Sequence, residues 1–273
     1  MKQILKYQNH QIFTSSEGKG DKIIFLHGWP TNSKLWRAQV DALKNDYQVI
    51  TLDWLGFGQS DKPIDHTYSF TGSKEILDLV LKAYLEEGEK ITLVAHDIGG
   101  PPTILWASEN QEKVKQLILL NTVLYPFKTP LDAFSEVLMA TPLLKDMFVS
   151  SFGLRMMMRT NTKSSGKEIN QRIDDILSDY KEVASALKRK TIHEPLHNRK
   201  ENELSFVSQK FKNLDVQKYL IIAKEDPLCY AHIKKLSEEN PAVPVYYIPD
   251  CGHFMAIDRP EALNTVLGEI LGE

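Results

Sequence analysis

Carboxylates, histidines and glycines gather at the ends of the apolar runs in this chain. The run Ile91-Thr92-Leu93-Val94-Ala95-His96 stops at Asp97, and Ile98-Gly99-Gly100 follows. Another run leads into Lys224-Glu225-Asp226-Pro227, and a third into Asp250-Cys251-Gly252-His253. Two earlier runs end in His27-Gly28-Trp29-Pro30 and in Asp53-Trp54-Leu55-Gly56. Carboxylate and imidazole are the groups of nucleophilic and general acid–base catalysis, so a site built from these run ends would carry that chemistry. An aspartate before glycines also has a plainer use, since its side chain caps the N-terminus of a following helix.

For these residues to meet, the runs must be neighbouring strands that point the same way. The runs at 22–28, 47–54, 90–96, 114–121, 218–224 and 243–250 are almost continuously apolar, as strands buried on both faces of a parallel sheet are. The first two, KQILKYQ and HQIFTS, alternate more and read as an antiparallel hairpin at the sheet edge. Helix-like segments lie between the later runs, at 73–89 and 260–271 among others. The expected fold is α/β, a mostly parallel, eight-stranded, doubly wound sheet. Ligands bind such sheets beyond the carboxyl ends of the strands, where the residues named above cluster. From 123 to 203 the rhythm stops and only helix-like pieces appear (LDAFSEVLMA, LRMMMRT, KEINQRIDDILSDYKEVASALKR). The expected organisation is a core domain of residues 1–122 and 204–273 with a helical cap domain of residues 123–203 inserted after the sixth strand.

Composition narrows the class. The 273 residues are 42% apolar and 25% charged with a net charge of -3, which excludes disordered, collagen-like and coiled-coil chains. The lysines are scattered, so no basic stripe marks a nucleic-acid or anionic-membrane surface. MKQILKYQNH lacks the apolar core of a signal peptide, and no run reaches the ~18 apolar residues a membrane span needs. A cytoplasmic protein, monomer or homodimer, is expected, with no nucleic-acid or membrane partner. Cys229 and Cys251 have no metal-type spacing and read as two reduced thiols.

With these residues in place, the whole chain resembles the α/β-hydrolase fold superfamily. Its nucleophile elbow usually reads Gly-x-Ser-x-Gly, and here the frame is Ala95-His96-Asp97-Ile98-Gly99, with the small Ala95 for the first glycine. No Gly-x-Ser-x-Gly occurs elsewhere in the chain. The resemblance implies that Asp97 is the nucleophile, Asp226 the orienting acid and His253 the base, with backbone N–H groups of Trp29 and Ile98 as the oxyanion hole. A carboxylate attacks as the anion it already is at neutral pH. On an ester or amide carbonyl it would form an anhydride, whereas on saturated carbon it forms an ordinary ester. The implied substrate is a small hydrophobic organic molecule with a strained or good leaving group on saturated carbon, processed without cofactor or metal.

Within the aspartate-nucleophile branch, haloalkane dehalogenases hold the halide with side-chain N–H donors, usually a tryptophan directly after the nucleophile. Ile98 has no such donor, although the Trp29 indole remains a candidate leaving-group contact. The loop His27-Gly28-Trp29-Pro30 resembles the His-Gly-aromatic-Pro of epoxide hydrolases, whose cap tyrosines donate to the opening ring. The tyrosines of the insertion are Tyr125 and Tyr180. The leading expectation is therefore an epoxide hydrolase-like enzyme, with a haloalkane or haloacid dehalogenase-like hydrolase as alternative. LDWLGFGQSDKP also resembles the mesoderm-specific transcript branch. A non-catalytic ligand receptor or scaffold on the same fold is a third reading, and one with no need for all three of Asp97, Asp226 and His253. His193-Glu194-Pro195-Leu196-His197 imitates a zinc motif, but Pro195 breaks the helix that would align its histidines. Met156-Met157-Met158 would either line a pliable pocket or fill core space.

Overall fold

The computed structural model describes residues 1–126, 141–180 and 201–272. Eight strands form one sheet: β1 (Lys2–Tyr7), β2 (His10–Glu17), β3 (Asp21–Leu26), β4 (Tyr47–Leu52), β5 (Ile91–Asp97), β6 (Val114–Thr122), β7 (Gln217–Ile222) and β8 (Val245–Tyr247). Their spatial order is β1-β2-β4-β3-β5-β6-β7-β8. β1 and β2 pair antiparallel, and β2 runs antiparallel to β4; every later pairing is parallel. The doubly wound α/β architecture expected from the sequence is present. Burial explains the two strand patterns: all seven residues of β5 are buried, while β1 alternates between exposed and half-buried at the sheet edge.

Helices α1 (Arg37–Leu43), α2 (Phe70–Tyr84) and α3 (Gly100–Glu109) lie between the first six strands. α2 begins where the Ser69 hydroxyl accepts the Gly72 N–H at 3.1 Å. α3 opens with Pro101 and Pro102, which lack the N–H that a first turn leaves unpaired anyway.

Between β6 and β7 the described residues form α4 (Pro142–Val149), α5 (Ser151–Thr160), α6 (Lys167–Leu177), a 3-10 turn at Ser178–Tyr180 and α7 (Glu201–Asn213). The expected helix LDAFSEVLMA and the pseudo-zinc segment from His193 to His197 lie outside the described residues. After β7 come α8 (Tyr230–Glu239), the short α9 (Met255–Asp258) and α10 (Pro260–Gly272).

The inserted helices share the core of the sheet, because Leu154, Met158, Ile169, Ile173 and Ile176 belong to one continuous apolar cluster with the strands. Met158 is fully buried and Met156 is exposed, so the methionine run fills core space on one side. Polar contacts fix the insertion above the loops at the carboxyl ends of the strands. Asn32 donates to the Ile176 carbonyl at 2.8 Å, Lys34 pairs with Asp179 at 2.7 Å, and Asp258 accepts the N–H groups of Lys163 and Ser164 at 2.8 and 2.6 Å.

Candidate active site

Asp97 is the last residue of β5 and holds a φ of 51°, in the left-handed region. For a residue with a side chain this strain is of order 1–3 kcal/mol, and it turns the carboxylate out of the strand. The β5–β6 register shifts between His96 and Asp97, and the Thr122 hydroxyl donates to the Asp97 carbonyl at 2.6 Å. A Cβ on Gly100 would sit 1.9 Å from that same hydroxyl, which is why the turn requires glycine there. Gly28 answers the same need from the opposite side, since its Cβ would lie 2.4 Å from the Cβ of Asp97.

The two carboxylate oxygens have different partners. Oδ2 accepts the backbone N–H of Trp29 at 2.8 Å. Oδ1 lies 3.4 Å from Sγ of Cys229, whose thiol donates to it. Asp97, Cys229 and His253 are all buried, at 4%, 1% and 1% exposure.

His253 reaches the site from the turn before α9. Its Nδ1 lies 2.9 Å from Oδ2 of Asp226, which also accepts the Asn121 amide at 2.7 Å. The other oxygen of Asp226 accepts the N–H groups of Leu228 and Cys229 at 2.8 and 3.2 Å. Burial alone would raise the Asp226 carboxyl, but the His253 ring beside it and the donated hydrogen bonds outweigh it and hold it below the ordinary carboxylate value. An ionised Asp226 keeps the proton of His253 on Nδ1 and leaves Nε2 as the basic nitrogen. The backbone N–H of His253 donates to the Asn161 carbonyl at 2.8 Å, which ties the histidine loop to the end of α5.

His27 and His96 flank the centre as neutral groups. Burial, the largest cause, lowers each to about 4. His27 bonds the Gly28 carbonyl through Nδ1 at 2.9 Å and accepts the Trp54 N–H on Nε2 at 3.1 Å. His96 bonds the His253 carbonyl through Nε2 at 2.9 Å, and its buried Nδ1 has no partner among the described residues. Asp53 braces its loop, accepting the N–H groups of Ser33 at 2.6 Å and Gln59 at 2.7 Å.

The expected triad residues and the Trp29 N–H thus come together, whereas the expected tyrosine contacts do not. Tyr125 donates its hydroxyl to Glu239 on α8 at 2.6 Å, and Tyr180 donates to the Thr31 carbonyl at 3.3 Å. Burial raises both phenols, with Glu239 adding to the rise at Tyr125 and Asp53 at Tyr180. Each hydroxyl is bonded to a protein acceptor. The Trp29 ring stacks on Phe148 of α4, with centroids 6.1 Å apart and planes 9° apart, so it joins the loop after β3 to the insertion. Ile98 is buried, and its side chain helps line a small cavity with Trp54, Phe57, Tyr68 and Phe70. That cavity adjoins the turn but does not include the Asp97 carboxylate.

Cys229 and Asn121 were not singled out from the sequence as parts of the site. Asn121 is the second-last residue of β6 and Cys229 lies three positions after Asp226, so a survey of every strand end and its following loop would have raised both. Both cysteines are buried and unpaired with one another. Among the described residues no helix is long and apolar enough to cross a membrane.

Residues 22–260 match the family model described as alpha/beta hydrolase fold. A cis-3-alkyl-4-alkyloxetan-2-one decarboxylase of Shewanella oneidensis is 39% identical over 119 residues, 43% of this chain and 37% of that protein. A haloalkane dehalogenase of Agrobacterium fabrum is 35% identical over 114 residues, 42% of this chain and 36% of that protein. The matched stretches thus span well under half the length of these curated relatives. The crystal structure of the haloalkane dehalogenase DatA from Agrobacterium tumefaciens C58 superposes with a TM-score of 0.82 at 22% identity, covering 100% of this chain and 96% of that one.

Proposed function

Since the chain belongs to the alpha/beta hydrolase fold family, we propose that it is a hydrolase in which Asp97 attacks saturated carbon and is released from the resulting ester by water. The observation that carries this reading is the pair of unequal oxygens on a buried, strained elbow. Oδ2 rests on the Trp29 N–H at 2.8 Å, where an oxyanion would form, and Oδ1, 3.4 Å from the Cys229 thiol, is the attacking atom.

In the first step Oδ1 forms a bond to the substrate carbon while the leaving group departs with its electron pair. In the second, His253 takes a proton from water at Nε2, and the hydroxide adds to the carbonyl carbon of the Asp97 ester. The oxyanion falls on Oδ2, held by the N–H groups of Trp29 and Ile98, each worth about 3 kcal/mol in such holes. Collapse breaks the Cγ–Oδ1 bond, the departing oxygen takes the proton of the added hydroxide to leave as the alcohol, and His253 gives its proton to water, which restores the carboxylate and the base. Asp226 holds the His253 ring in register throughout, and the helical insertion over the strand ends acts as the cap that closes the site and shapes its substrate range.

The leaving group is one that is stable as an anion, a halide or a carboxylate. Two observations support this over an epoxide: the hydroxyls of Tyr125 and Tyr180, which would have to protonate an alkoxide, are bonded to Glu239 and Thr31, and the similar curated proteins are named for haloalkanes and for an oxetan-2-one. In a four-membered lactone ring, attack at the saturated carbon bearing the ring oxygen breaks that carbon–oxygen bond and leaves a carboxylate. Relief of ring strain then replaces the help a donor would give.

The test is turnover of primary haloalkanes, cis-3,4-dialkyl oxetan-2-ones and alkyl epoxides in heavy-oxygen water, with mass spectrometry of the peptide that contains Asp97. Hydrolysis by way of the ester transfers heavy oxygen into Asp97. Hydrolysis that leaves Asp97 unlabelled would overturn the nucleophile, and turnover restricted to epoxides would overturn the leaving-group assignment.

A further inference from the structure

The geometry points to a second use of the same centre: Asp97, Cys229 and His253 form a site for a thiophilic divalent cation, Zn2+ first among them, whose binding excludes substrate. Each of the three offers one ligand atom, and these atoms all lie within 4.8 Å of one another. A tetrahedral Zn2+ with a sulfur at about 2.3 Å and an oxygen at about 2.1 Å sets those two atoms about 3.6 Å apart. Cys229 Sγ and Asp97 Oδ1 are 3.4 Å apart. The pair therefore already spans one edge of the coordination tetrahedron, and the imidazole completes a face after a small closure.

The surroundings orient each ligand. Trp29 holds Oδ2 of Asp97, so Oδ1 is presented as a single-oxygen ligand beside the thiol. Asp226 engages Nδ1 of His253 at 2.9 Å, which assigns ligation to Nε2. A carboxylate behind a ligating imidazole fixes the ring and raises its basicity, and such partners commonly change metal affinity by 10–100-fold. Sulfur, nitrogen and oxygen from three side chains, with a fourth position open to water, suit Zn2+ and disfavour Mg2+ and Ca2+, which require oxygen.

Binding exchanges a proton for the cation. The S–H bond of Cys229 breaks, its proton goes to water, and a sulfur–metal bond forms with no change of oxidation state. Affinity accordingly rises with pH. The cation occupies the atoms that attack substrate and activate water, so Zn2+ inhibits in competition with substrate; this inhibitory half rests on the Asp97 reading above.

Co2+ serves as the spectroscopic probe, titrated into the full-length protein under reducing conditions. The expected result is one equivalent bound per chain, with a thiolate-to-cobalt charge-transfer band and intense visible bands of a four-coordinate ion, both discharged by Zn2+. Cys229→Ser should remove the charge-transfer band, and Asp97→Asn and His253→Gln should each weaken cobalt binding by at least about tenfold. Cys251→Ala and His197→Ala should leave the spectrum as it was, and circular dichroism checks that every variant is folded. Zn2+ should raise the apparent KM without lowering kcat, and Cys229→Ala should lose that sensitivity relative to its own uninhibited rate. A charge-transfer band that persists in Cys229→Ser, one that disappears in Cys251→Ala, or none at about millimolar Co2+ overturns the site. An alkyl adduct on Asp97 without any cobalt band refutes the cation alone, while a cobalt band with no adduct from any substrate refutes the nucleophile alone.

Discussion

Acid should loosen this protein well before its carboxylates are protonated, through His27 and His96. Both are fully buried and lowered from 6.5 to about 4. Burial is the main cause for each, and the hydrogen bonds agree with it. Nε2 of His27 already accepts the Trp54 N–H, so a proton there would face a donor, and a proton on Nδ1 of His96 would be buried without a partner among the described residues. The folded values are depressed, so the unfolded chain binds these protons more readily between pH 6.5 and about 4. Stability is therefore complete above that window and falls as pH drops through it. From about pH 7.5 to about pH 4.5 each histidine should remove about 2–3 kcal/mol, so the pair removes several kcal/mol. That is a large part of the 5–15 kcal/mol typical of a domain. Asp53, raised by burial against the N–H groups of Gln59 and Ser33, works in the opposite direction, so the histidines must be isolated by substitution. His27→Gln retains a donor for the Gly28 carbonyl and an acceptor for the Trp54 N–H but does not titrate. Urea unfolding at the two pH values should show this variant losing about 2–3 kcal/mol less than wild type. A wild-type stability that does not fall between them, or a parallel fall in His27→Gln, would show that His27 is not the group whose protonation destabilises the fold.

Three other substitutions probe the framework. Asn121→Ala removes the amide that donates to Asp226 at 2.7 Å and leaves buried groups short of a partner, so urea unfolding should show a loss of about 2 kcal/mol and the acid limb of the rate profile should move to higher pH. Gly100→Ala drives a methyl into the Thr122 hydroxyl and should destabilise by about 1–3 kcal/mol, a loss that Thr122→Ala partly reverses in the double variant. In Gly252→Ala the new Cβ would lie 2.2 Å from the Asn161 carbonyl that positions the His253 N–H, so turnover should fall by about tenfold or more while circular dichroism stays native-like.

Periodicity revealed the strands because a strand buried on both faces leaves a continuous apolar run, as Ile91 to Ala95 does. It could not reveal their order, which depends on which faces the crossover helices cover. The helix expected at 73–89 is found at Phe70–Tyr84, because the Ser69 cap starts it a turn earlier and Leu85 is already extended. The grouping of Asp97, Asp226 and His253 was legible because Asp97 ends its strand and the other two lie in the loops that follow β7 and β8, on the same side of the sheet. Tyr125 and Tyr180 were not, because residue type and position do not reveal which way a hydroxyl turns; here tertiary acceptors, Glu239 and the Thr31 carbonyl, decide it. Cys229 carried no signal by itself, and only the fold brings its sulfur to Asp97 across the site.

A single turnover by His253→Gln reads the covalent ester on Asp97 directly. Without the base at Nε2 the first step proceeds and the second stalls, so the ester should accumulate. With a haloalkane substrate, intact-mass and peptide spectra should show one alkyl group, without its halogen, on the peptide spanning Asp97, and Asp97→Asn should show none. An unmodified Asp97 in His253→Gln, together with a wild-type rate that survives Asp97→Ala, would rule out Asp97 as the nucleophile.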